Sequence, residues 1–122
     1  MNRRAELQHL HFPDLPEPET SSPPDPADFA LLVQALIGLE GEAGADTFSF
    51  VVVTPKWLAR RVTADRPLLG RAHLIVEHYD YEQIRNEIVQ CCRRAAGPGW
   101  PSVAAILSRF ARWEYETAEG EE

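Results

Sequence analysis

Phe29-Ala-Leu-Leu-Val-Gln-Ala-Leu-Ile37, then Gly38-Leu-Glu-Gly-Glu-Ala-Gly-Ala-Asp46, then Thr47-Phe-Ser-Phe-Val-Val-Val53 is the stretch whose reading decides the fold. Composition alone suits the first run to a helix. Its neighbour argues otherwise, because residues 47–53 are β-branched and aromatic, the types that fit a half-buried pleated surface. Two apolar runs flanking a Gly-rich acidic connector predict a long antiparallel hairpin.

Outward from this hairpin, residues 4–10 alternate loosely, with Ala5, Leu7 and His9 opposite Glu6, Gln8 and Leu10, which suits a short strand. Residues 13–26 hold six prolines among Asp, Glu, Ser and Thr. Their missing N–H donors exclude a helix interior or a central strand, so residues 13–28 read as an extended acidic loop. After the hairpin, Thr54-Pro55 supplies an N-cap and a first-turn proline for a helix to about Val62. A strand is expected over 71–79. A long helix follows over 81–96, capped by Asp80 with Gln83 and striped by Ile84, Ile88, Cys91, Cys92 and Ala95. Gly97-Pro98-Gly99 is expected to end it in a left-handed turn. A third helix over 101–110 and a strand over 112–117 complete the chain. The expectation is one α+β domain over 1–122, with a mostly antiparallel sheet of about five strands and two or three helices on one face. Residues 117–122 form a flexible acidic tail in this reading.

Charge is segregated. Residues 5–55 contain no Lys or Arg but nine carboxylates, whereas residues 56–113 carry ten basic residues against five acids. The net charge of −7 and the absence of a continuous basic surface argue against a phosphate-backbone binder and for a basic partner. The longest apolar run, 29–39, is broken by Gln34 and Gly38 and falls short of the roughly 20 residues of a membrane span. Met1-Asn2-Arg3-Arg4 opens no secretory signal, and the adjacent Cys91 and Cys92 would close only a strained disulfide ring. Reduced thiols and a cytoplasmic location follow.

Candidate chemistry is sparse. His9 and His11 share a strand face, but a metal needs three or four convergent ligands, and His73 and His78 come from a distant segment. Cys91 and Cys92 fall on or beside the apolar stripe and pack there as small hydrophobes. Glu6, Glu77 and Glu114 stand on predicted strands and are more readily solvent-facing than paired catalytic acids. Lys56, Arg60, Arg61, Arg66 and Arg71 gather around the first helix as a solvated face or anion patch. Trp57, Trp100 and Trp113 read as aromatic anchors. No G-x-S-x-G, H-E-x-x-H or P-loop motif occurs. No catalytic, cofactor-binding or metal-binding residue is assigned.

Several segments together do carry a likeness. They are the acidic proline loop with Leu15, residues 26–38, Phe48-Ser-Phe50 with Thr54-Pro-Lys-Trp-Leu58, residues 70–82 around Leu74-Ile-Val76 and Tyr79-Asp-Tyr81, and residues 100–116. In residue type and spacing these resemble immunity protein 8, a family of bacterial polymorphic-toxin systems. The resemblance implies a cytosolic, non-catalytic antidote that binds a cognate toxin domain. It supplies no binding residues.

The charge pattern supplies candidates instead. Asp14, Glu17, Glu19, Asp25 and Asp28 of the loop, with Glu40, Glu42 and Asp46 of the connector, are the expected contacts to a basic toxin surface. Two other classes remain open on sequence. One is a small metal-dependent or hydrolytic enzyme using His9 and His11. The other is a regulatory adaptor with a pairable sheet edge, which would allow a homodimer.

Overall fold

The computed structural model describes residues 2–115. In chain order its elements are β1 (Arg3–His11), β2 (Ala30–Leu39), β3 (Asp46–Val53), α1 (Pro55–Arg61), β4 (His73–Ile75), α2 (Tyr81–Arg94), β5 (Ala96–Gly97), α3 (Trp100–Leu107) and β6 (Arg112–Trp113). The predicted hairpin is present: β2 and β3 pair antiparallel from Ala30↔Val53 to Ile37↔Asp46. The sheet runs β4-β3-β2-β1-β5, with β6 also on β3. It is α+β, with a mixed sheet of six strands, because β4 joins β3 in parallel.

The outer edge of β3 is shared by two short strands. His73–Ile75 pairs with residues 51–53, and Arg112–Trp113 pairs with Phe48 and Ser49. The strand expected over 71–79 is therefore only three residues long. The strand expected over 112–117 is two residues long within the described chain, and the 117–122 tail lies outside it.

A bulge in β1 corrects the alternation expected there. Leu7 faces Ile37, but His9 faces Leu36, so Gln8 is the extra residue. Beyond it the pattern flips: Leu10 joins Ala5 in the core, while His9 and His11 join Glu6 on the exposed side.

α2 buries Ile84, Ile88 and Cys92, and α3 buries Val103, Ala104 and Leu107. Both pack beside β1, and they enclose a core with Val33, Ala35, Ile37, Phe48 and Val52 of the hairpin. Asp80 caps α2 as expected, accepting from the Gln83 N–H at 3.2 Å. α2 ends at Arg94 in extended backbone at Ala95, not in a left-handed turn at Gly97. Gly97 instead pairs with Arg3, and a Cβ there would stand 2.8 Å from the Ser102 Cβ. Its missing side chain serves helix-to-strand packing.

α1 differs from the other helices. Thr54 caps it, with its buried Oγ1 accepting from the Trp57 N–H (3.4 Å) and the Phe29 N–H (3.1 Å). The helix itself buries no side chain.

Candidate partner-binding surface

The eight acidic residues singled out by sequence separate into two groups. Three are engaged inside the fold. Asp28 pairs with Arg60. Glu42 pairs with Arg3 at 2.7 Å. Asp46 accepts from two indoles, Trp100 Nε1 at 2.9 Å and Trp113 Nε1 at 3.0 Å. Phe48 completes that cluster, stacked on Trp113 and edge-on to Trp100. The carboxylate thus joins the start of β3 to α3 and β6.

The connector between β2 and β3 is also less free than a solvated tip. Gly41 takes a left-handed turn with φ 83°. The chain then folds back so closely that a Cβ on Gly38 would lie 2.0 Å from the Gly44 carbonyl oxygen. The Gln8 side chain, turned by the bulge, donates to that same carbonyl at 3.0 Å. Glu40 remains exposed at its base.

The remaining acids, Asp14, Glu17, Glu19 and Asp25, lie on the proline loop, and no salt bridge among the described residues engages them. The loop itself is fastened. The Tyr79 hydroxyl donates to the Pro18 carbonyl, and the Tyr79 N–H donates to the Pro26 carbonyl at 2.7 Å. Leu15 packs against the core, and Phe12 meets the Tyr81 ring at 5.9 Å. Burial, then the neighbouring Tyr81, Asp80 and Glu19, push the Tyr79 phenol up to about 12. Burial and the same Glu19 raise Tyr81. Glu19 therefore projects its charge over the start of α2.

The alternative chemistries find little geometry. His9 and His11 share the exposed sheet face, but His73 pairs with Val51 on the far side of the hairpin. No group of three His, Cys, Asp or Glu that could hold a metal exists among the described residues. Glu6 sits on β1 opposite Gly38, whereas the Glu114 carboxylate accepts from the Thr47 N–H at the outer edge of β3. Glu6 and Glu114 do not converge, and Glu77 lies beyond the end of β4 rather than on a strand. Cys92 is buried, and burial followed by the adjacent Cys91 pushes its thiol up to about 12. Burial also raises Cys91. Both thiols stay protonated at neutral pH, which deprives them of thiolate reactivity.

Sequence reasoning raised a pairable sheet edge without placing it; the open side of β1, where β5 covers only Arg3 and Arg4, is such an edge. A signal for the bulge was available: Leu7, Leu10 and Phe12 are too irregularly spaced for an unbroken strand with one buried face.

Immunity protein 8 is the family whose sequence pattern matches the chain, over residues 5–117. The chain belongs to the immunity protein 8 family. No curated protein and no solved structure matches it. Membership of the immunity protein 8 family makes it an immunity protein of a toxin system and implies a toxin as its protein partner. No helix among the described residues is long and apolar enough to cross a membrane.

Proposed function

We propose that this chain is the cytoplasmic antidote to a polymorphic-toxin domain and acts by binding alone, without catalysis. The observation that carries this reading is the family match across residues 5–117. Asp14, Glu17, Glu19 and Asp25 are the contact acids in this proposal, with Glu40 a further acid at the opposite end of β1. They are exposed, without a salt bridge among the described residues, and the loop that bears the first four is fastened to the fold. A charged surface held in place steers a basic partner without an ordering cost at each encounter. Asp28, Glu42 and Asp46 serve the fold first, so reversing them would confound binding with stability.

The test expresses the C-terminal domains of secreted proteins from the same genome, each with and without this chain. One domain is expected to lose its toxicity and copurify with the chain; rescue from none of them overturns the reading. With that domain in hand, changing Asp14, Glu17, Glu19 and Asp25 together to Lys is expected to weaken binding about a hundredfold, chiefly through slower association. An unchanged affinity and salt slope would remove the loop from the interface.

A further inference from the structure

β1 leaves most of its outer edge open. The last backbone bond on that side is from the Ala5 N–H to the Ala95 carbonyl, at 3.0 Å. From residue 6 to residue 11 no backbone hydrogen bond among the described residues engages it. Those six residues offer about 20 Å of strand edge at roughly 3.3 Å per residue.

Two cavities lie along this edge, of about 440 and 610 Å³. They share Leu7 and Arg85, so they adjoin one another and together make a trough along the strand beside α2. Val89 of α2 gives one end an apolar wall, and Tyr81 with Pro18 walls the other. The trough has the parts that strand addition requires: unpaired main-chain groups on one side, and pockets for alternate side chains beside them.

We propose that this trough receives an extended segment of the toxin domain, added as a strand to the β1 edge, with its cationic end against the proline loop. The charge distribution selects that occupant. Glu19 and Arg85 both line the loop end, and Asp14 and Glu17 on the same loop add further negative charge there. The opposite end carries no acidic excess, with Arg4, Arg85 and Arg93 against Glu6 and Glu40. A second copy of the chain fits less well. Pairing two β1 edges would set one bulge against another, and each protomer carries a net charge of −7. The inference rests on the antidote reading and names the kind of toxin segment that is bound.

Titration of the isotopically labelled full chain, followed by backbone amide shifts, tests it without a toxin. Two capped peptides serve as probes: acetyl-Lys-Lys-Val-Thr-Val-Thr-Val-amide and the same sequence with glutamate in place of both lysines. The lysine peptide is expected to shift amides of residues 6–11 and to bind about tenfold more tightly than the glutamate peptide, the size of one partly desolvated charge contact. Glu19→Lys, on an exposed site, is expected to abolish that preference while leaving the protein folded. Equal binding of both peptides, shifts confined to other surfaces, or sedimentation showing a dimer that holds residues 6–11 would each overturn the proposal. Because no toxin enters this experiment, its failure leaves the coexpression result standing, and the reverse also holds.

Discussion

Residues 13–28 and 55–71 are two large irregular or exposed stretches among the described residues, and they are opposites. The first is acidic and proline-rich; it is tied to the body by Tyr79 and Leu15 and braced within itself by two turns in which the Thr20 and Ser21 N–H groups donate to the Glu17 carbonyl. The second is basic and buries none of its residues, even though it contains Trp57, Leu58, Val62, Leu68 and Leu69. Leu69 is 92% exposed. Beyond its one short helix, the second stretch is braced by the Thr63–Arg66 bridge and by Arg61 stacked 4.8 Å over Trp57. The Asp28–Arg60 pair joins the two stretches. The difference teaches that proline content and charge predict an irregular path but not its freedom. What fastens a loop is a side chain from elsewhere, here a tyrosine 61 residues downstream of the carbonyl it holds.

The contrast can be broken most forcefully at Tyr79. Replacing it with Ala removes the ring that meets Phe29 at 5.9 Å and the hydroxyl that holds the Pro18 carbonyl, while the backbone bond to Pro26 can persist. Stability to urea is expected to fall by about 2–3 kcal/mol, a partly buried aromatic plus a hydrogen bond. Limited proteolysis should move into residues 13–28; a loop that stays protected would show that its anchoring lies elsewhere.

Alkaline pH should loosen the same contact more gently. The folded-state phenol lies at about 12 against an ordinary 10.0, chiefly through burial. A raised folded value means the stabilisation is complete below pH 10 and drains as pH climbs towards 12. Melting temperatures between pH 9 and pH 11.5 should therefore drop more for the wild-type chain than for Tyr79→Phe, which cannot ionise there. Cys92 titrates over an overlapping range, and it is common to both proteins. Parallel curves would deny Tyr79 its role.

The smallest effect belongs to the basic stretch. Leu69→Ser is expected to change stability by less than about 0.5 kcal/mol, because nothing packs on that side chain. A larger loss in thermal unfolding would show that the stretch is anchored after all.

Much of the fold was legible because its signals are local. The Thr54-Pro55 and Asp80 caps, the β2–β3 hairpin and the α2 stripe each follow from residues within one element or its immediate flank. What escaped depends on partners far away in sequence. Parallel pairing of β4 with β3 leaves no local mark, and two-residue strands such as β5 are too short to show a period. At the candidate surface, all eight acids looked alike in sequence. Only tertiary structure reveals that Asp46 meets two tryptophans, while Glu19 meets none.

The Asp46 junction also has a bearing on synthesis. Its indole partners stand 54 and 67 residues later in the chain. The outer edge of β3 likewise waits for Arg112 and Trp113, and β1 waits for β5. On a translating ribosome the central hairpin emerges long before these closures can form, with Phe48 still lacking its aromatic lid. Folding of this domain is therefore completed only after Arg112 and Trp113 have emerged, and a chain cut short of them leaves the outer edge of β3 open.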